Sequence, residues 1–329
     1  MQHHTSIVVV GSINADVVVR TAHRPATGET VLGESLEMYP GGKGANQAVA
    51  AALVAARAPA SGSGQQAVAL IGAVGEDQFA ESALVDLAQV GVDLAAVRRT
   101  ADRHTGIAVI TVGEDGDNSI VVVPGANGLV DAALVEAWSD LLQQAEVVLV
   151  QMEIPAPGVQ MAARLAQGRF IVNLAPAGQL PRAVLLKANP LVVNELEAMA
   201  ALAILRGKPV SSATSVLVED ATRCVADLLS TGVPSVVMTL GARGSLVGWT
   251  ASDETNEIVP LPALTVPVVD TTGAGDAFVG AMAARLALGD SLLDASRLAT
   301  QVAAFSVQRP GAQPSFPRPA DELPFTTGL

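Results

Sequence analysis

Val269-Asp270-Thr271-Thr272-Gly273-Ala274-Gly275-Asp276-Ala277-Phe278-Val279-Gly280-Ala281 changes character midway, from a glycine-punctuated turn to the Ala-rich periodicity of a helix. The first turn of a helix leaves backbone N–H groups without intrahelical partners, and its positive end favours an anion. Asp276 puts a carboxylate beside that hole. Serving only as an N-cap, Asp276 would stabilise the helix but leave the small residues Gly273, Ala274 and Gly275 unexplained. The segment reads as an anion hole with a base next to it, and the rest of the chain as supplying its contents.

A second glycine segment, Gly41-Gly42-Lys43-Gly44-Ala45-Asn46-Gln47, also opens into an Ala-rich helix. Glycines permit close backbone approach, Lys43 brings one cation, and Asn46 lies near it at the helix start. The spacing of a Walker A loop is absent. Upstream, a β-branched run from Ser6 to Ala15 is closed by Gly11-Ser12-Ile13-Asn14-Ala15-Asp16. Polar groups then sit just past a central parallel strand, where open α/β sheets bind ligands. Asn14 and Asp16 share a face if the chain is extended, and could grip adjacent sugar hydroxyls; an Asx-rich turn is the plainer alternative.

Between and after these segments the order alternates. Helices are expected near Glu76 to Val90, Asp131 to Gln144, Gly158 to Gln167 and Ser215 to Leu229. Strands are expected at Ala67 to Ile71, Val147 to Val150, Phe170 to Asn173, Leu191 to Val193 and Ser235 to Thr239. Polar or glycine residues collect at the strands' carboxyl ends: Gln151-Met152-Glu153, Asn194-Glu195-Leu196-Glu197, and Leu240-Gly241-Ala242-Arg243-Gly244. A doubly wound sheet with one crevice follows. Ser245 to Trp249 and Glu257 to Pro260 read as edge strands, and two helices close the chain. Two β-prone regions break the alternation, at about 16–40 and 105–123, the second with a hairpin signal at Gly113 to Asn118. They suggest a small separate sheet acting as a lid over the strand ends. No linker or internal repeat divides 1–329, so a single α/β domain is expected.

Composition excludes several classes. Against 32 Asp+Glu stand 19 Lys+Arg, a net charge of −13 that argues against a general nucleic-acid or acidic-membrane surface. No apolar run of about eighteen residues lacks a charge, Gly or Pro, so no membrane span is expected. The start of the chain reads as a first buried strand and not as a signal peptide, which predicts a cytoplasmic protein. Cys224, the single cysteine, fits a small core residue on a helix. Aromatics at 3% make a base-stacking substrate pocket a poor expectation.

These pieces together resemble the ribokinase-like, PfkB-type sugar kinases, from the Gly11 to Asp16 segment through to Arg309-Pro310-Gly311-Ala312-Gln313-Pro314-Ser315. The two glycine segments correspond to the family's signatures, with Asn194-x-x-Glu197 and Thr239-Leu240-Gly241-x-Arg243-Gly244 in order between them. The resemblance implies a mainly parallel central sheet flanked by helices, a β-sheet lid that commonly forms a homodimer contact, and ATP-dependent phosphorylation of the 5-hydroxyl of D-ribose. It assigns Asp276 as catalytic base with Gly273, Ala274 and Gly275 as the anion hole. Asn14, Asp16, Gly42, Lys43, Gly44, Asn46 and Glu153 become sugar contacts, with Asp276. Nucleotide contacts carry over to Asn194, Thr239, Leu240, Gly241, Ala242, Arg243, Gly244, Gly275 and Thr300, where some relatives carry a histidine. Glu197 matches a position holding Mg2+ through water, with a capping box around Asn194 as the structural alternative. A K+ site is implied at Asp270, Thr272, Ser306, Arg309, Gly311 and Ser315. The segments Arg57 to Gln66 and Leu205 to Ser215 look longer or more irregular than the family's. A deoxyribokinase or another pentose or hexose kinase is the near alternative; a sugar-binding regulator with a degenerate site is the distant one.

Overall fold

The computed structural model describes residues 5–57, 67–114, 118–208 and 220–325. The loop expected at 57–66, the hairpin turn at 113–118, the irregular stretch at 205–215 and the first residues of the helix expected from 215 lie wholly or partly outside them.

In chain order the strands are β1 Thr5–Val10, β2 Asn14–Thr21, β3 Gly33–Gly41, β4 Ala67–Gly75, β5 Val97–Thr100, β6 Gly106–Val112 and β7 Asn118–Val123. They continue as β8 Val147–Val150, β9 Arg169–Asn173, β10 Leu191–Val193, β11 Ser235–Thr239, β12 Ser245–Thr250 and β13 Asn256–Leu261. The helices are α1 Lys43–Ala55, α2 Gln78–Gln89, α3 Ala132–Glu136, α4 Ser139–Gln144 and α5 Ala156–Leu165. After them come α6 Arg182–Lys187, α7 Glu195–Leu205, α8 Ala221–Ser230, α9 Ala274–Ala287 and α10 Leu292–Ser306.

Nine strands form the main sheet in the order β13-β12-β11-β10-β9-β8-β1-β4-β5. Pairing is parallel from β11 to β5, and the two edge strands expected after Gly244 add on antiparallel. The chain leaves β1 first for β4 on one side and later for β8 on the other, so the order reverses at β1. A crevice opens at the carboxyl ends of strands around such a switch point.

Alternation within β1 divides the core. Ile7 and Val9 pack with α1, α2, α9 and α10, while Val8 and Val10 pack with the elements on the opposite face. Each fully buried Val, Leu or Ile contributes roughly 1.5–3 kcal/mol, so both layers are firmly seated on the sheet. The Ala-rich faces of α1 and α9 let these two helices meet closely. A Cβ on Gly280 would lie 2.4 Å from the Gln47 carbonyl and 2.7 Å from the Ala50 Cβ. That contact brings the N-termini of α1 and α9, the two glycine segments, to one place.

The second sheet has the order β3-β2-β6-β7, with β2–β6 parallel and the other pairs antiparallel. It is the expected lid, with one correction. The first strand was expected to run from Ser6 to Ala15, but β1 ends at Val10, and Asn14 already opens β2, paired with Gly41 and Gly106. Asn14 and Asp16 therefore stand on a lid strand and not in an Asx turn, and the extended backbone puts them on one face.

Three further differences concern helices. The helix expected near Asp131 to Gln144 is two short helices, broken where Trp138 leaves helical geometry (φ −110°) and caps the second. The helix expected from Ser215 starts at Ala221, because the Asp220 side chain accepts from the Arg223 N–H and fixes its first turn. A helix after Asn194 was expected only as the capping-box alternative, and α7 does follow at once; its apolar residues point nearly all round, so it lacks the polar stripe that periodicity detects. Among the described residues no helix is long and apolar enough to cross a membrane.

Candidate active site

Gly273 caps α9 in the left-handed region (φ 74°), which a residue with a side chain rarely adopts. Asp276 is thus the third residue of the helix and not its N-cap. The Ala274 N–H donates to the Thr271 carbonyl (3.2 Å), and the first helical donor to the cap is Ala277, to Gly273 O (2.8 Å). Of the expected anion-hole donors, Ala274 is therefore engaged in a turn. The N–H groups of Gly273, Gly275 and Asp276 have no hydrogen-bond partner among the described residues and are left as the open donors.

Asp276 is only 7% exposed, and both its oxygens are held. Asn46 Nδ2 donates to Oδ2 and Gln47 Nε2 to Oδ1, each at 2.9 Å. Both amides belong to the start of α1, so the base joins the two glycine segments directly. Glu153, past the end of β8, accepts from Ser12 Oγ (2.6 Å) and from the Lys43 backbone N–H (3.0 Å), fixing the first residue of α1 against the strand ends. The Lys43 ammonium is held above its ordinary range by the Asp276 charge first, with Glu153, Glu197 and Asp16 adding to it against the opposing effect of burial. One cation thus sits amid four carboxylates.

On the lid side, Asn127 clamps the start of β2. Its Oδ1 accepts from the Ile13 N–H (2.8 Å), and its Nδ2 donates to Ile13 O (3.1 Å) and Asn14 Oδ1 (2.7 Å). With its carbonyl oxygen engaged, Asn14 has its own NH2 to offer a ligand. Asp16 lies over Gly41, where a Cβ would come within 2.3 Å of its carboxylate. Its Oδ1 is buried without a hydrogen-bond partner among the described residues. Burial, then the charges of Glu153 and Asp276, push its pKa up to about 7, against the pull of Lys43. An orphaned buried acceptor beside an NH2 donor suits vicinal hydroxyls.

The expected nucleotide positions follow β10 and β11. Asn194 and Glu197 do form the capping box: Asn194 Oδ1 accepts from the Glu197 N–H (2.9 Å), and Glu197 Oε2 from the Asn194 N–H (2.8 Å). Burial pushes Glu197 up to about 6, with Lys43 opposing that and Asp276 adding to it. Thr239 ends β11, and Leu240 through Gly244 form a tight turn closed by the Leu240 N–H to Gly244 O (2.8 Å). Arg243 ties this loop to α7 through Glu195 (2.6 Å). Thr300 lies on α10 with its hydroxyl bonded to Ser296 O (2.9 Å), and no hydrogen bond joins its side chain to the other nucleotide positions among the described residues.

Asp270 knits the expected K+ positions together. Its Oδ1 accepts from the Thr272 N–H and its Oδ2 from the Gly311 N–H, both at 2.8 Å. Burial acts to raise its pKa, but hydrogen bonds from Thr272 and Gly311 outweigh it and hold the carboxyl below its ordinary range. Arg309 stacks its guanidinium on Phe305 at 3.9 Å, and Ser315 Oγ donates to Ala312 O (2.7 Å). No group of three or more His, Cys, Asp or Glu suited to a metal exists among the described residues. A buried Glu197 fits an ion that keeps its waters and binds phosphate, as Mg2+ does, and an Asp270 carboxyl held in its charged form fits a monovalent cation.

Several site residues escaped the reading of the sequence: Ser12, Gln47, Asn127, Asn173 and Gln313. Gln47 was detectable as a long uncharged polar side chain inside an Ala-rich, buried helix, and Asn173 as a polar residue ending an apolar strand.

The pfkB family carbohydrate kinase model matches residues 4–319. The chain belongs to this family. It is similar to the ribokinase of Schizosaccharomyces pombe, 37% identical over 318 residues and covering 95% of each chain. It is also similar to the deoxyribokinase of Salmonella typhi, 32% identical over 316 residues, 94% of this chain and 95% of the other. The structure of Arabidopsis thaliana ribokinase complexed with ribose and ATP superposes with a TM-score of 0.80 at 31% identity, covering 96% of both chains.

Proposed function

We propose that this chain transfers the γ-phosphoryl group of ATP to the 5-hydroxyl of D-ribose, yielding D-ribose 5-phosphate and ADP. The observation that carries the reading is Asp276, a buried carboxylate gripped through both oxygens in the first turn of α9. As general base it takes the hydroxyl proton while the sugar oxygen bonds to the γ-phosphorus and the bond to the ADP oxygen breaks. The open N–H groups of Gly273, Gly275 and Asp276 meet the charge on the phosphoryl oxygens, and one such donor is worth roughly 3 kcal/mol in a transition state. Gly273 supplies the turn that aims them, and Ala274 the bond that closes it.

Asn14, Asp16, Gly42, Lys43, Gly44, Asn46 and Glu153 bind and orient the sugar. Asn194, Thr239 to Gly244, Gly275 and Thr300 serve ATP. Glu197 would hold Mg2+ through water, supplying neutralisation of phosphate charge. Asp270, Thr272, Ser306, Arg309, Gly311 and Ser315 would hold K+, Arg309 through its carbonyl since its side chain is committed to Phe305; equal turnover in potassium and in a large inert cation would sink that assignment. The chain acts as one domain in the cytoplasm. Its lid pairs two copies, a reading supported by apolar side chains left in solvent at Leu36 (66% exposed), Ile120 (54%) and Val121 (63%).

The similarity to a deoxyribokinase favours 2-deoxyribose as the second reading. The test is ADP release with ribose, 2-deoxyribose, fructose and adenosine in parallel. Ribose is expected to give the highest kcat/KM; a preference for 2-deoxyribose selects the second reading, and binding without ADP release selects a regulator.

A further inference from the structure

Behind Asp276 runs a chain of buried amides. Gln47 Nε2 donates to Asp276 Oδ1 and to Asn173 Oδ1, each at 2.9 Å, and Gln151 Nε2 donates to Gln47 Oε1 at 2.6 Å. On the other oxygen, Asn46 donates to Oδ2 and itself accepts from Gln313 Nε2 at 2.9 Å. Gln47, Gln151 and Gln313 are fully buried.

Along both branches that lead to Asp276, Gln151 to Gln47 and Gln313 to Asn46, the amides have the same polarity, while Asn173 takes the second N–H of Gln47 with its carbonyl. A carboxylate acting as a base only accepts, so the amide touching it must present NH2, its carbonyl then faces the next amide, and that one must present NH2 in turn. At both outer ends the carbonyl is stranded: Gln151 Oε1 and Gln313 Oε1 have no hydrogen-bond partner among the described residues. Reversing either amide would set oxygen against oxygen. A stranded buried acceptor costs stability, and apolar side chains of the same size would fill the space without that cost. Stability alone therefore does not account for the arrangement. What it does supply is two fixed directions for one carboxylate, anchored at the ends of β8 and β9 and in the C-terminal turn at Gln313.

We propose that Gln47, backed by Gln151, is a positioning residue that holds Asp276 in the orientation from which it takes the sugar proton. This rests on Asp276 being the base. Gln47 acts on the base and not on substrate, so it governs kcat and leaves the Michaelis constants alone. Gln151 reaches Asp276 only through Gln47, so the two are not independent.

The test compares Gln47→Met, Gln151→Met, the double variant and Asp276→Asn by ADP release with ribose and ATP, with Tm measured for each. Gln47→Met is expected to lower kcat about 10- to 100-fold, as small misplacements of reacting groups do, with both KM values within about threefold of the parent. Gln151→Met is expected to lower kcat about 3- to 10-fold, and adding it to Gln47→Met to cost less than about twofold more. A Gln47→Met enzyme with parental kcat, a kcat loss matched by an equal rise in ribose KM, or fully multiplicative losses in the double variant overturns the proposal. If Gln47→Met does not fold, Gln151→Met decides alone, and unchanged turnover overturns it. Near-parental turnover by Asp276→Asn instead removes the base assignment beneath it, whatever Gln47 does.

Discussion

Asp276, at the start of α9, accepts a hydrogen bond at each oxygen, whereas Asp16, on the lid, keeps a buried oxygen with no partner among the described residues. The two carboxylates share a crevice and the same cation, Lys43. Their difference lies in who completes them. The protein supplies the partners of Asp276, so its direction is fixed before any ligand arrives, as a base requires. Asp16 is left for a ligand to complete, and a hydroxyl donor would satisfy the orphaned oxygen.

The largest test of this contrast is to remove each charge with an isosteric amide. Asp276→Asn is expected to lower kcat by about 10²–10⁴-fold with Tm and ribose affinity near the parent values. Asp16→Asn is expected to raise ribose KM about 10- to 100-fold, the worth of a hydrogen bond to a charged group, with a much smaller change in kcat. Steady-state kinetics on both variants would erase the distinction if each moved the other's parameter.

Next comes pH. Asp16 binds its proton more tightly in the folded chain (about 7) than its ordinary value of 3.8 allows in the unfolded one. The stabilising contribution is therefore complete below about 3.8 and is lost as pH rises through 7. Glu197, raised from 4.5 to about 6, acts with the same sign over a narrower window. The ligand-free protein is expected to lose stability between about pH 4 and 7, by up to a few kcal/mol, and Asp16→Asn to flatten most of that slope. Denaturant titrations across this range check it; an unchanged slope in the variant would show that Asp16 is not the strained group.

The smallest effect on catalysis is expected from the outer face of the lid. Val121→Asp, in the proposed dimer contact, should shift sedimentation from dimer to monomer while leaving kcat within about threefold, because Asp276 and its amides lie in the other sheet's crevice. A variant that stays dimeric would move the contact elsewhere.

Much of the floor was legible in the sequence because its signals are local. Strand-then-helix alternation set out the sheet, and the two glycine-to-helix transitions marked the N-termini of α1 and α9. The lid was legible as strands that broke the alternation. What stayed hidden depended on contacts distant in sequence. Gln47 and Gln313 are 266 positions apart and meet only around Asp276 through Asn46. Asn127 looks like an ordinary turn residue until its amide is seen clasping Ile13 and Asn14. Even the Asn194 to Glu197 spacing, assigned to nucleotide and Mg2+, is a capping box in the structure, one motif that can serve a helix and a ligand together.

The passage from β1 to β2 takes only the residues between Val10 and Asn14, and it carries the chain from the core sheet into the lid. Asn14 and Asp16 consequently belong to the accessory sheet by pairing but to the catalytic floor by tether. Strand side chains alternate faces, so inserting a single residue after Asn14 would turn Asp16 away from the crevice while leaving the β2 hydrogen-bond ladder able to re-form one step along. The sugar site thus has a reading frame, set where β2 meets Gly41 and Gly106, and redesigning the lid for a new partner or substrate must conserve that frame before it changes any side chain.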